Sequence, residues 1–466
     1  MCMESRDLKF ITAACRGTLL AGSPEARIQR VCTDSRQLRA GDLFFALSGP
    51  RFDGHDFVPE VVGKAGGVVI RGDRASIPPG AGAVIAVEDP QDALGRLAEA
   101  YRKDFCAPLV AVGGSNGKTT TKELIASVLR KRLNVLWSEA SFNNAVGVPL
   151  TLLRLEAGHQ AAVLEVGTNH PGELEPLVRM IQPQYGVITS IGREHLEFFG
   201  DLAGVAREEG SLAERLPSFG KLFLNGDNDW AESIAKRTAA EVVRVGLNEG
   251  NHWRAVSSRT DKRGISFRVE APEVAFSGDY HLNLLGRHQA VNALFAICLG
   301  AELGLSREEI QAGLAECQPA KMRLQIWEHN GIRVLDDAYN ANADSMLAAL
   351  QTLQELPCKG RRVAVLGDMG ELGPHSEAAH EEVGRRAAEL GVGQLFAVGK
   401  MAPVVARGAR RAGLNRVFEF SDVATAAAAV KQFMRNGDLI LLKASRAARL
   451  EQIGELLRAG GAARKN

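Results

Sequence analysis

Ala111-Val-Gly-Gly-Ser-Asn-Gly-Lys-Thr-Thr-Thr-Lys-Glu123 is the stretch whose reading decides the fold of this chain. A short apolar run, Pro108-Leu-Val-Ala-Val112, precedes it, and Leu124, Ile125, Val128 and Leu129 follow at helical spacing. Strand, glycine loop, lysine, hydroxyl and helix, in that order, make a cradle for a polyphosphate. Glycines let backbone N–H groups approach the phosphates, and the helix N-terminus adds a favourable field. Lys118 can reach the outer phosphates, and the Thr119 hydroxyl can hold Mg²⁺. The segment therefore reads as an ATP site. It departs from the general Gly-x-x-x-x-Gly-Lys-Ser/Thr pattern, because counting back from Gly117 the first glycine position falls on Val112. An isolated glycine turn with a solvated lysine is the bland alternative. The β-branched run in front and the amphipathic helix behind argue for the cradle.

At 466 residues the chain exceeds one ordinary domain, and 45% apolar content suffices for several cores. A formal net charge of +1 without a basic block argues against a nucleic-acid partner. No apolar run reaches membrane-spanning length, and the N-terminal stretch Met1-Cys-Met-Glu-Ser-Arg-Asp lacks the apolar core of a signal peptide. The seven cysteines are dispersed, with no Cys-x-x-Cys pair, as expected of reduced thiols in the cytoplasm.

Three blocks separate along the chain, and all point to an α/β fold. Residues 1–105 hold short strands and turns, then a helix over Gln91–Tyr101. Residues 106–316 alternate strands (Pro108–Val112, Ala161–Val166, Tyr185–Ile191, Lys221–Asn225, Glu241–Val245) with helices. That alternation predicts a parallel sheet covered by helices, with a β-rich excursion over His252–Leu285 and a further helix near Ala290–Gly300. Residues 317–466 alternate again (Ile332–Asp336, Arg362–Leu366, Leu395–Val398, Arg416–Phe420, Asp438–Leu442, with a helix over Ala343–Leu356) and predict a second doubly wound domain. Ligands sit at the C-terminal ends of strands in such folds, so Gly113–Thr119 and Asp336–Asn342 can face one shared ATP site. Glu165 ends one strand and His195 follows another. With Thr119 they are candidate Mg²⁺ ligands, His195 the least expected on chemical grounds.

Several segments together resemble the Mur ligase family over nearly the whole length. Gly114-Ser-Asn-Gly-Lys-Thr-Thr-Thr-Lys-Glu123 is similar to the family's phosphate loop. Thr33-Asp-Ser-Arg36, Gly41-Asp-Leu-Phe-Phe-Ala46 and Phe52-Asp-Gly-His-Asp-Phe57 resemble its UDP-holding domain, and Phe142-Asn-Asn-Ala-Val-Gly-Val-Pro-Leu-Thr-Leu152 its next substrate segment. Glu165-Val-Gly-Thr-Asn-His-Pro-Gly-Glu173 and His195-Leu-Glu-Phe-Phe-Gly200 are similar to metal-binding segments, and Gly286-Arg-His-Gln-Ala-Val-Asn-Ala293 to an adenosine-contacting helix start. Asp336-Asp-Ala-Tyr-Asn-Ala-Asn342 and Leu366-Gly-Asp-Met-Gly-Glu-Leu-Gly373 resemble the branch of the family that adds D-alanyl-D-alanine.

The resemblance implies a UDP-binding N-terminal domain, a central P-loop ATPase-like domain and a C-terminal Rossmann-like domain. It implies an ATP- and Mg²⁺-dependent amide ligase that adds D-alanyl-D-alanine to a UDP-muramoyl tripeptide through an acyl phosphate, acting as a cytoplasmic monomer. Lys118, Glu165, His195, Arg323 and Asp337 would be catalytic. Gly114, Ser115, Asn116, Gly117, Lys118, Thr119, Thr120, His288, Asn292 and Arg323 would hold ATP. Asp34, Ser35, Arg36, Asn143 and Asn144 would hold the UDP substrate, and Tyr339, Asn340 and Asn342 the dipeptide. Thr119, Glu165, His195 and Glu209 would hold metal.

Glu209 stands where the family usually carries a carbamylated lysine, and no lysine occurs from Leu133 to Gly220. A glutamate can supply the same charge directly, on a shorter stem; a solvated helix carboxylate is the competing reading, since Glu208 adjoins. Gln289, Ala343, Ala444 and Ser190 are smaller departures, at positions where the family usually has Asn, Pro, Gly and Asn. Two other functions stay open at this level. One is the preceding ligase of the family, which adds the third amino acid, although its Asp-Asn-Pro-Arg motif is absent here. The other is a catalytically silent nucleotide- and UDP-sugar-binding module.

Overall fold

The computed structural model describes residues 2–50, 52–74, 80–261 and 263–459. Met1 of the N-terminal stretch and residues 460–466 of the third block lie outside the described residues.

Each block builds its own sheet. The central one has nine strands, in the order Val135–Trp137, Ala161–Glu165, Leu109–Gly113, Tyr185–Ile188, Lys221–Asn225, Glu241–Gly246, Trp253–Asp261, Gly264–Glu270 and Gly278–Leu282. It is parallel from the first of these to Trp253–Asp261 and antiparallel beyond. The last strands are the β-rich excursion, which extends the sheet by a meander.

The central strand shows why the sheet is buried on both faces. Every residue of Leu109–Gly113 is buried. Side chains alternate sides along a strand, so Val110 and Val112 pack with Leu124, Ile125 and Val128 of helix Lys118–Leu129 and with Leu294 and Ile297 of helix His288–Glu302. Leu109 and Ala111 face the other way, in the core that holds Leu97 of helix Pro90–Arg102 and Val178 and Ile181 of helix Leu174–Ile181. Burying each such side chain contributes about 1.5–3 kcal/mol. Leu109–Gly113 leads into helix Lys118–Leu129 on one face of the sheet, while the strands on either side of it lead into helices on the other, so a crevice opens at its C-terminal end, between Glu165 and Thr189.

The N-terminal sheet has six strands, ordered Cys2–Asp7, Arg27–Cys32, Leu43–Phe45, Gly67–Arg71, Val84–Val87 and Thr18–Ala21, antiparallel at both edges. The C-terminal sheet is also six-stranded: Gln325–His329, Ile332–Asp336, Leu439–Lys443, Arg362–Gly367, Gln394–Val398 and Val417–Phe420, parallel except at Gln325–His329. Val135–Trp137 and Gln325–His329 escape the sequence pattern. The first is an edge strand of only three residues, too short for its apolar run to mark a strand, and the second is half-exposed, without a buried apolar run. Among the described residues no helix is long and apolar enough to cross a membrane. Cys15, Cys32, Cys106, Cys298, Cys317 and Cys358 are free thiols.

Candidate active site

A cavity of about 1570 Å³ lies where the three domains meet, lined by the phosphate loop, by helix Pro90–Arg102 and by the Asp337–Asn342 segment. The loop takes its shape from two glycines. Gly114 has φ +111°, and a Cβ there would stand 2.4 Å from Thr189 Oγ1. Gly117 has φ +87°, and a Cβ there would stand 2.6 Å from Asn292 Oδ1. Any larger residue at either position would combine backbone strain with a clash.

The end of the next strand clamps the loop. Ser115 N–H donates to Ser190 O at 2.8 Å, Asn116 N–H to Ser190 Oγ at 2.9 Å, Thr189 Oγ1 to Asn116 O at 2.6 Å, and Gly192 N–H to Ser115 Oγ at 2.8 Å. Helix Lys118–Leu129 begins without a side-chain cap, and Gly117, Lys118, Thr119 and Thr120 line the cavity. Helix N-termini leave their first N–H groups free, so this one offers them, and its dipole, to an anion.

Lys118 is almost wholly enclosed. Its Nζ donates to Gly114 O and lies 3.5 Å from Ser115 O and 3.3 Å from Glu194 Oε2. Burial works against the ammonium, but the carboxylates of Glu194, Glu209 and Glu165 together outweigh it, and the lysine pKa lies above its ordinary value. Glu165 Oε1 accepts from Asn143 Nδ2 at 2.9 Å. Thr119 Oγ1, Glu165 Oε2 and Glu194 Oε1 are buried oxygens with no partner among the described residues, and all three side chains line the cavity. His195, at φ +48°, gives Nδ1 to Glu371 of the C-terminal domain, and its Nε2 lies 4.0 Å from Glu194 Oε2.

The C-terminal domain closes the cavity. The Arg323 guanidinium lies 4.4 Å from the centroid of the Tyr339 ring, and the Tyr339 hydroxyl meets Ser141 Oγ of the central domain. Asp337 binds buried Lys443 Nζ at 2.5 Å, and the same ammonium donates to Asn340 O at 3.1 Å. Asn342 Nδ2 donates to Asn116 Oδ1 of the phosphate loop at 3.0 Å, while its Oδ1 caps helix Ala343–Glu355 through Ser345 N–H at 2.9 Å. His288 stands half-buried on the cavity wall; desolvation pushes its ring down to about 4, with Asp337 opposing and Lys443 assisting. Asn292 Nδ2 donates to Gln289 Oε1 at 2.9 Å.

Residues 112–300 match the Mur ligase middle domain, residues 322–446 the Mur ligase glutamate ligase domain, and residues 27–102 the Mur ligase family catalytic domain. UDP-N-acetylmuramoyl-tripeptide–D-alanyl-D-alanine ligase of Escherichia coli is 37% identical over 98% of this chain and 100% of that one, and the Bacillus subtilis ligase of the same name is 35% identical over 97% and 98%. This chain belongs to the Mur ligase family. A crystal structure of MurF from Acinetobacter baumannii superposes with a TM-score of 0.90 at 31% identity, covering 98% of this chain and 99% of that one. MurF from Thermotoga maritima in complex with ADP superposes at 0.81 with 26% identity, covering 92% and 97%.

In this Mur ligase the cavity gathers most of the residues the sequence nominated. Ser115, Asn116, Gly117, Lys118, Thr119, Thr120, Asn143, Asn144, Glu165, His195, His288, Asn292, Arg323, Asp337, Tyr339, Asn340 and Asn342 all line it. Asp34, Ser35 and Arg36 lie elsewhere: Asp34 caps a short 3₁₀ turn over Ser35–Gln37 and pairs with exposed Arg36 at 2.8 Å. Glu209 comes from beneath the loop instead of from the cavity side. It is fully buried, its Oε2 accepts Gly114 N–H at 2.6 Å, and burial raises its carboxyl pKa while Lys118 opposes. A solvated helix carboxylate is therefore ruled out for Glu209. It is ruled out for Glu208 as well, whose two oxygens accept Gly172 N–H at 2.8 Å and Leu174 N–H at 2.9 Å.

Sequence reasoning passed over Glu194 and Lys443. Lys443, at the end of the run Leu439-Ile-Leu-Leu442, carried a legible signal, since a lysine in a buried strand needs a partner. Glu194 carried none beyond its place before His195.

The site suits Mg²⁺. Among the described residues no cluster of three or more His, Cys, Asp or Glu forms a metal cage. Mg²⁺ rarely uses one; it binds a carboxylate or two, phosphate oxygens and water. Unpartnered hard oxygens beside a phosphate cradle are that donor set.

Proposed function

We propose that this Mur ligase joins the carboxylate of a UDP-N-acetylmuramoyl tripeptide to the amine of D-alanyl-D-alanine, using ATP. The observation that carries this reading is the juxtaposition of two segments from different domains: the phosphate loop and Tyr339-Asn-Ala-Asn342, joined by the Asn342–Asn116 hydrogen bond. The nucleotide and the amine thereby share one cavity. Full-length similarity to ligases of that name supports it.

Amide formation from a free carboxylate is uphill in water. ATP transfers its γ-phosphoryl group to the carboxylate, the amine attacks the acyl phosphate, and phosphate leaves. Both the transferring phosphoryl group and the tetrahedral intermediate are anionic. Lys118, the free N–H groups of Gly117–Thr120 and Arg323 converge on the space where that charge develops. Thr119 and Glu165 would hold Mg²⁺ there, and the ion would neutralise phosphate charge. Asn143 fixes Glu165. Tyr339 stacks Arg323 into place, and Lys443 ties Asp337 to the backbone of Asn340. Closure of the C-terminal domain would exclude the water that hydrolyses an acyl phosphate.

We place the reaction in the cytoplasm, with ATP and the UDP-linked precursor. A single chain suffices, since it supplies every wall of the cavity. Phosphate release with ATP, the tripeptide substrate and D-alanyl-D-alanine is the test. Turnover with free lysine or diaminopimelate and a UDP-muramoyl dipeptide, and none with D-alanyl-D-alanine, would overturn the reading.

A further inference from the structure

Glu209 turns Oε2 to Gly114 N–H beneath the loop and does not line the cavity. Another carboxylate stands on the cavity side. Glu194 is 6% exposed and lines the cavity. Its Oε2 faces Lys118 Nζ at 3.3 Å, and its Oε1 is buried with no partner among the described residues. A tight turn aims it there: Glu194 N–H donates to Gly192 O at 2.9 Å, and His195 continues in the left-handed region. Burying an anionic oxygen without a partner costs free energy that only a cation or a donor recovers. Lys118 accounts for one oxygen, and no group among the described residues accounts for the other.

We propose that Glu194 is a divalent-cation ligand of this chain, acting with Thr119 and Glu165. The inference rests on the ligase reading above and deepens it. Without nucleotide, Lys118 turns back to the carbonyls of Gly114 and Ser115 and to Glu194. When phosphates enter, the ammonium moves onto them, and the Glu194 carboxylate it leaves becomes available to the metal that accompanies the nucleotide. The charge in the site stays balanced: one cation leaves the carboxylate and another replaces it. Glu209 keeps a different task, as the acceptor that holds Gly114 N–H and so the course of the loop.

Mn²⁺ is the probe, since it takes the same oxygen ligands and has an electron paramagnetic resonance signal. Free Mn²⁺ is titrated against the full-length protein in the presence of ADP, for the parent, Glu194→Gln and Glu194→Asp. Losing even an indirect partner of a metal costs about 10–100-fold in affinity, so Glu194→Gln should weaken Mn²⁺ binding by at least about tenfold. Glu194→Asp should recover part of that loss. Calorimetry with ADP in chelator should show nucleotide binding undiminished or tighter, since Lys118 no longer has to leave a carboxylate, which a general collapse of the loop would not allow. Parental Mn²⁺ affinity in Glu194→Gln overturns the proposal. So does equal loss of metal-free ADP binding, which would make Glu194 a loop support. The readout needs neither the tripeptide nor D-alanyl-D-alanine. Failure of the ligase reading would appear in the parent's phosphate release, and failure of this inference only in the metal titration.

Discussion

Arg193 and Asp344 lock the central domain to the C-terminal domain. Arg193 Nε and Nη2 lie 2.8 and 2.7 Å from Asp344 Oδ1, and Asp344 Oδ2 accepts the Arg193 backbone N–H at 2.7 Å. Arg193 Nη1 also donates to Glu382 at 2.6 Å. The pair sits immediately before Glu194 and His195, so the residues that join the domains adjoin residues that line the cavity.

Arg193→Met should therefore loosen closure without emptying the cavity. A partly exposed ion pair contributes about 0.2–1 kcal/mol, and here one guanidinium serves two carboxylates and a fixed geometry. The expected result is a rise of roughly severalfold in KM for D-alanyl-D-alanine, a larger radius of gyration by solution scattering without ligands, and a small change in melting temperature. An unchanged KM together with parental scattering would refute the role.

Lys118→Ala should abolish turnover. It should also destabilise the nucleotide-free protein, by something of the order of 3 kcal/mol, because Glu194, Glu165 and Glu209 lose the buried cation that compensates them. Binding of the UDP moiety should persist, since the N-terminal sheet is a separate unit. Denaturant unfolding and calorimetry with UDP-muramoyl tripeptide measure the two effects separately.

Glu208→Gln and Glu209→Gln should differ in kind. Glu208 holds Gly172 and Leu174, in a loop whose Thr168, Asn169 and Glu173 line the cavity. Its amide variant loses one acceptor and leaves a buried donor unpaired, at about 1–3 kcal/mol of stability, with weaker UDP-substrate binding. Glu209→Gln keeps an acceptor for Gly114 N–H and replaces a carboxyl whose charged form burial already disfavours, so its effect should fall on turnover more than on stability. Bicarbonate depletion should leave the parent's rate unchanged, because the position needs no CO₂. A rate restored by added bicarbonate would contradict that.

His288 gives a pH signature. Its pKa falls from 6.5 to about 4 in the folded protein, chiefly by burial. Between these values the unfolded chain binds the proton and the folded chain does not, so stability rises with pH across this window. The contribution is complete above 6.5 and lost as pH falls toward about 4. Its ceiling is about 3 kcal/mol. His288→Gln should flatten the parent's dependence of unfolding free energy on pH in that window. An identical slope in parent and variant would show that His288 protonates freely.

The local sequence determined the strand Lys221–Asn225, the helix Ala343–Glu355 and the phosphate loop between Leu109–Gly113 and Lys118–Leu129. Apolar runs, capping residues and glycine spacing act over a few residues, so these elements are legible from their own composition. Glu165 was legible too, because the end of a parallel strand beside that loop can open only into the crevice. Orientation across elements was not legible. Glu208 and Glu209 adjoin on one helix, where successive side chains diverge by about 100°. One turns to the Thr168–Leu174 loop and the other under Gly114, and nothing in their sequence distinguishes them. The same holds for Glu194 against Lys118, Arg193 against Asp344, and Asn342 between its helix cap and Asn116. Those contacts join residues far apart in the chain, and only tertiary packing brings them within hydrogen-bonding distance: of neighbouring strand ends within the central domain for Glu194 and Lys118, of one domain against another for the other two.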